Sequence, residues 1–271
     1  EGNLLKIISK IIVIANQKGG VGKTTTAINL SASLALLSYE TLLIDMDPQA
    51  NSTSGFGIKK DEVSASIYNV LIDDKLLEDT ILPTEIEWCE IVPSGLDLVG
   101  AEVELVNMLA RETRLKTALA KFEKVYDYII IDCPPSLGLL TVNALTAANS
   151  VIIPIQCEYY ALEGLGQLLK LIDALKKNLN TNLYVEGVLL TMYDARINLS
   201  GQVITEIKKY FGDKVYKTII PRNVRLAEAP GFGKPVILYD KHSRGAEAYM
   251  NLAKEITGRE NEKKDIAEKN G

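Results

Sequence analysis

The sequence predicts an α/β fold: a doubly wound, mostly parallel sheet flanked by helices in a single domain. Three observations carry this. Apolar, β-branched runs recur along the chain, segments with helical spacing separate them, and a glycine-rich turn joins the first run to the first helical segment. The runs cover residues 11–14, 42–44, 128–131, 151–153 and 185–190. They lack the polar alternation of a strand with one wet face, so they predict strands buried on both faces. Helices are expected to begin near Lys23, Arg111, Leu139, Leu162 and Gly201. In such a sheet, ligands bind beyond the carboxyl ends of the strands, and the polar motifs of this chain fall at those ends.

With 271 residues, 47% of them hydrophobic, the chain can bury one large core. The organisation expected is a short extension at 1–9, a main domain at 10–258 and a charged tail at 259–271, frayed or disordered. The extension is too short for a separate DNA-reading domain. No apolar run reaches membrane-spanning length and no signal-peptide pattern opens the chain, which predicts a soluble, cytoplasmic protein. Cys89, Cys133 and Cys157 form no C-x-x-C pair, so they are expected as buried hydrophobes rather than as disulfides or a metal-cluster site. The net charge of −5 gives no general attraction to nucleic acid, so DNA binding would require a local basic patch. The single histidine, His242, sits in a polar string and is expected in a surface or packing role rather than in catalysis.

The turn reads Lys18-Gly19-Gly20-Val21-Gly22-Lys23-Thr24-Thr25. Between a strand and a helix, such a loop cradles phosphate oxygens with backbone N–H groups. Lys23 is then placed to contact the β and γ phosphates, and Thr24 to offer its hydroxyl to Mg²⁺. The ordinary pattern has glycine where this chain has Gln17. Two further strings bring carboxylates to strand ends. Asp45-Met46-Asp47-Pro48-Gln49 follows an apolar run, where Mg²⁺ or an attacking water can sit, although a turn or capping role is open for both aspartates. Asp132 ends the run at 128–131 in a Walker B pattern that aims it at the magnesium shell, and Pro134-Pro135 then break the strand. Together the strings predict phosphoryl transfer to water with Mg²⁺.

The loop resembles the deviant Walker A motif of the ParA, MinD and nitrogenase iron-protein superfamily. That likeness implies that Lys18 reaches a partner subunit's nucleotide, that Asp47 orients the hydrolytic water and that Asp45 supports the magnesium environment through bound water. From residue 11 to about 258 the chain is similar to chromosomal ParA proteins of the Soj type, through Asn51-Ser52-Thr53-Ser54-Gly55, the 157–164 string, Leu190 to Arg196 and Ile220 to Pro230. This resemblance implies an ATP-dependent homodimer that binds double-stranded DNA without sequence preference near the nucleoid. A ParB-type centromere-binding protein then stimulates hydrolysis and release. Arg196 and Arg225 match DNA-contacting positions, and Arg222, Lys234 and Arg244 would extend the same face. Met192, Pro221 and Asn223 match positions near adenine, with plain packing the competing reading. Tyr159 and Tyr160 would stack on a ligand or cover the core or dimer seam.

Two other readings remain. A MinD-like positioning ATPase would act on a membrane or protein scaffold, but the tail from Glu260 has Ile266 as its only large apolar residue and forms no amphipathic anchor, so no membrane binding is expected. A metabolic synthetase on the same fold would instead need a small substrate.

Overall fold

The computed structural model describes residues 9–158 and 165–270. Its strands are β1 (Lys10–Ile14), β2 (Thr41–Asp45), β3 (Leu82–Pro83), β4 (Cys89–Val92), β5 (Tyr128–Asp132), β6 (Ser150–Gln156), β7 (Tyr184–Tyr193) and β8 (Val215–Pro221). They form one sheet in the order β3-β4-β2-β5-β1-β6-β7-β8, parallel throughout except where β3 pairs with β4. The helices are α1 (Lys23–Leu36), α2 (Asn51–Gly55), α3 (Ile67–Ile72), α4 (Leu98–Val106), α5 (Arg114–Lys121), α6 (Leu139–Ala147), α7 (Leu165–Asn178), α8 (Asn198–Phe211), α9 (Val224–Glu228), α10 (Val236–Tyr239) and α11 (Arg244–Asn270).

Side chains alternate along each strand, and here both sets are buried. Ile12, Ile14, Leu43 and Ile130 pack into a cluster with α1, α10 and α11. Val13, Leu42, Ile44, Ile129 and Ile131 pack into a second cluster with α3 to α8. β1 lies between β5 and β6, while α1 carries the chain away to β2 beyond β5. The strand order reverses at β1, so the crevice at its carboxyl end is the ligand position of a doubly wound sheet.

All five predicted strands are present. β3, β4 and β8 go beyond the prediction: β4 is four residues long and includes Glu90, and the edge strand β8 carries exposed Lys217. The helix expected near Arg111 begins at Arg114, because Ala110 is left-handed (φ 54°) and Thr113 N donates to its carbonyl in a turn. The helix expected near Gly201 begins at Asn198, directly after a turn in which Ile197 N donates to Asp194 O. Leu162, Tyr159 and Tyr160 lie outside the described residues. The charged segment expected to fray continues α11 as helix to Asn270.

One long-range contact is made by backbone alone. Gly57 follows α2 and Gly233 follows α9, and a Cβ on Gly233 would lie 2.6 Å from the Gly57 Cα. Both have positive φ, so each position favours glycine twice over.

Candidate active site

The loop from β1 to α1 is held from the neighbouring strands β6 and β7. Asn16 donates through Nδ2 to the Pro154 carbonyl on β6 at 2.7 Å, and its Oδ1 accepts from Lys18 N at 3.0 Å. Thr191 on β7 donates its hydroxyl to the Val21 carbonyl at 2.9 Å. Gly22, the residue before α1, has φ 88°, which places it in the left-handed region. No side chain caps α1 and no acid occupies its first turn, so its leading N–H groups suit an anion. A Cβ on Gly19 or Gly20 would meet no other protein atom within 4 Å, so the loop's outer face is open for phosphate.

Lys23 is only 6% exposed, and its Nζ donates to the Lys18 carbonyl at 3.1 Å. Burial lowers its pKa, while the nearby carboxylates of Asp132 and Asp47 oppose that shift. Lys18 itself is half-buried at the loop's start. The ammonium of Lys23 thus sits at the meeting point of the three motifs.

Sheet register brings the carboxylates together, since Asp45 on β2 is the direct partner of Asp132 on β5. Both are fully buried, and burial raises both pKa values; for Asp132 the charge of Asp45 adds to the rise. Their surroundings differ. Asp45 has both oxygens engaged: Oδ2 accepts from Thr53 N at 2.8 Å and Thr53 Oγ1 at 2.7 Å, and Oδ1 accepts from Asp47 N at 3.1 Å. It holds the turn into α2. Asp132 accepts from Ser52 Oγ at 2.8 Å through Oδ2, and the hydroxyl of Thr24 also favours its charged form. Its Oδ1 is buried with no hydrogen-bond partner among the described residues.

That orphaned oxygen tests whether a magnesium ion fits. A buried carboxylate oxygen without a donor is costly, and a cation beside Thr24 and the phosphates would satisfy it. No cluster of three histidine, cysteine or acidic groups fit to hold a metal occurs among the described residues, so the ion must draw most ligands from phosphate and water. Magnesium binds in that way, and the donor set fits it. Asp47, 6% exposed, is fixed at the same edge: its Oδ1 accepts from Gln49 N at 2.9 Å and its carbonyl accepts from Ser94 Oγ at 2.7 Å.

Beside α1, Met192, Pro221 and Asn223 line one cavity of about 240 Å³ with Gly22, Thr25 and Tyr249. Residues distant in sequence therefore meet against the phosphate loop. Met192 is left-handed (φ 52°), an uncommon conformation for a side chain of that size. The Asn223 Oδ1 accepts from Arg225 N and so caps α9, which leaves the amide nitrogen as its side-chain donor.

The three arginines lie at the carboxyl ends of β7 and β8, and each faces an acid. Arg196 binds Asp194 with two nitrogens, at 2.9 Å and 2.6 Å, and this pairing holds the Asp194 carboxyl well below its usual range. Arg225 donates to Glu228 at 2.9 Å and lies 3.3 Å from Asp240, while Arg222 lies 3.7 Å from Glu158. Lys234 faces Glu85 at 3.6 Å. Arg244 is exposed at the start of α11.

Asn16, Ser52, Thr53, Ser94 and Thr191 carry roles that local sequence does not signal. Ser52 and Thr53 lie within a string that resembles relatives, but their roles depend on which strand ends they face. The cysteines are buried and burial raises their thiol pKa values, and His242 is exposed, as expected.

A family model described as an AAA domain matches residues 9–185. The sporulation initiation inhibitor protein Soj of Bacillus subtilis is 61% identical over 249 residues, which span 92% of this chain and 98% of that protein. The chromosome partitioning protein ParA of Myxococcus xanthus is 57% identical over 256 residues, spanning 94% and 90%. Among solved structures, cobyrinic acid a,c-diamide synthase from Mycobacterium smegmatis, with bound ADP and magnesium, matches with a TM-score of 0.80 at 37% identity, covering 91% of this chain and 93% of that one.

Proposed function

The chain belongs to the ParA/Soj family of chromosome-partitioning ATPases, and from that premise we propose that it is an ATP-driven switch for DNA. It binds Mg·ATP at the amino end of α1, closes as a homodimer and retains double-stranded DNA until a ParB-type partner triggers hydrolysis. One observation carries the reading: Lys23, Asp47 and Asp132 converge, buried, at the uncapped end of α1.

In this reading the loop from Lys18 to Thr25 wraps the phosphates, and Lys23 supplies charge to the β and γ groups. Thr24 and Asp132 would hold a magnesium ion, which would supply positive charge against the charge that develops on the phosphates. Asp45 acts on that ion through water and by fixing the turn that carries Asp47. Asp47 aligns the attacking water, and Lys18 reaches the partner subunit's nucleotide. Met192, Pro221 and Asn223 receive the adenine. Arg196, Arg225 and Arg222, with Lys234 and Arg244 at the margin, exchange their acidic partners for DNA phosphates. Exposed pairs suit this exchange because water already competes for them, and phosphate contacts carry no sequence preference. The protein then acts in the cytoplasm on the nucleoid. No helix among the described residues is long and apolar enough to cross a membrane.

The test is DNA retention by the parent and by Asp47→Ala in ATP and in ADP. Retention in ATP alone, prolonged by Asp47→Ala, is expected; equal retention in both nucleotides refutes the reading. The likeness to a solved synthase at 37% identity favours a second reading, turnover of a small metabolite. Hydrolysis indifferent to DNA and partner but accelerated by a metabolite would select it. Pelleting with liposomes in ATP, without DNA affinity, would select a membrane-positioning role.

A further inference from the structure

The turn that carries Asp47 closes on itself. Asp47 N donates to Asp45 Oδ1 at 3.1 Å, Gln49 N to Asp47 Oδ1 at 2.9 Å and Ala50 N to the Asp47 carbonyl at 2.8 Å. The Asp47 carboxylate is tied to the amide of Gln49, so its orientation follows the turn. The chain leaves this turn under strain. Ala50 is left-handed, with φ 51°, a region in which Cβ crowds the following carbonyl oxygen. Such a conformation persists only where the surrounding structure holds it.

Ala50 is also the residue before α2, whose Ser52 and Thr53 hold Asp132 and Asp45. The peptide from Gln49 to Ala50 thus lies between Asp47 and the hydroxyls that hold the other two carboxylates. A side chain from outside the turn reaches it. Lys60, in a short 3₁₀ turn at Lys60–Glu62, donates through Nζ to the Gln49 carbonyl. Glu62 in that turn is engaged by Lys59 at 2.7 Å. The carbonyl that Lys60 grips belongs to the very peptide whose orientation sets φ of Ala50.

We propose that Lys60 is a positioning residue for hydrolysis: its ammonium holds the peptide from Gln49 to Ala50 in the strained turn and so keeps Asp47 aimed at the attacking water. The proposal rests on the role read above for Asp47. A hydrogen bond from an ammonium is stronger than one between neutral groups, which suits it to hold a peptide against strain. Lys60 is exposed, so the bond adds little to global stability. Its effect falls on kcat, because a small misplacement of a group that aligns the nucleophile slows the reaction without loosening the nucleotide.

The experiment measures steady-state ATP hydrolysis by the full chain with Mg²⁺ and DNA over a range of ATP concentrations. Lys60→Met should lower kcat about fivefold to tenfold and keep KM within about twofold of the parent, with the urea midpoint unmoved. Lys60→Arg, which keeps the charge, should recover most of the loss. Ala50→Gly removes the crowded Cβ, so the double variant should return to within about twofold of Ala50→Gly alone. An unchanged kcat in Lys60→Met overturns the proposal. So does a raised KM at parental kcat, which would place Lys60 on the nucleotide, and so does a loss that Ala50→Gly fails to relieve, which would assign Lys60 to some other contact. Asp47→Ala hydrolysing ATP at the parental rate refutes the role of Asp47 itself, and the positioning with it.

Discussion

The centre of the sheet's carboxyl edge and its β8 end are built in opposite ways. Around α1 the charged groups are buried, and hydroxyls from α2 fix the carboxylates: Thr53 holds Asp45 and Ser52 holds Asp132. At β7 and β8 the arginines stand in solvent, paired with acids on their own loops or nearby segments. The first arrangement maintains one geometry whatever the solvent. The second leaves partners exchangeable. Chemistry that must position phosphate, cation and water within tenths of an ångström suits the former, and a grip on many DNA sequences suits the latter.

Changes on the buried side should therefore cost most. Lys23→Ala removes a buried ammonium from the phosphate site, and losing a hydrogen bond to a charged group costs about 1.5–3 kcal/mol. Titration with a fluorescent ATP analogue should show binding weakened roughly tenfold to a hundredfold; binding within threefold of the parent would break the contrast. Thr53→Val strands the fully buried Asp45 with fewer donors. Urea denaturation should then show about 1–3 kcal/mol lost, the usual cost of an unsatisfied buried acceptor. An unchanged midpoint would mean that Asp45 does not depend on this clasp.

Changes on the exposed side should leave stability alone and act on DNA. Arg225→Ala should keep nucleotide affinity and lower the log–log salt slope of DNA binding by about 0.9 for each phosphate that is no longer neutralised. An unaltered slope would remove Arg225 from the interface. The smallest effect is expected for Asp194→Asn, which releases Arg196 from its acid and should strengthen DNA retention roughly twofold to threefold at low salt, with the gain screened away at high salt. Weaker retention would show that Asp194 serves to aim the arginine.

The same contrast separates what the sequence discloses from what it hides. The phosphate loop, Asp45 with Asp47, and Asp132 are contiguous strings at the ends of apolar runs, so local pattern alone suffices to locate them. Ser52 and Ser94 could not be assigned that way, because their partners Asp132 and Asp47 are reached only through sheet register and loop packing. Nor could the pairing of Arg225 with Asp240, which depends on how α9 lies against the turn after α10. β8 escaped detection for a related reason: an edge strand with exposed Lys217 lacks the continuous apolar run that marks its buried neighbours.

The contact between Gly57 and Gly233 gives these two regions a common bearing. Soft side chains would absorb small displacements, but here main chain rests on main chain, with nothing between to compress. α2, whose hydroxyls steady the carboxylates, and the segment following Arg225 therefore abut with no side chain between them. A side chain at either glycine would force α2 and the segment after α9 apart, and with them the carboxylate clasp and the arginine-bearing loops.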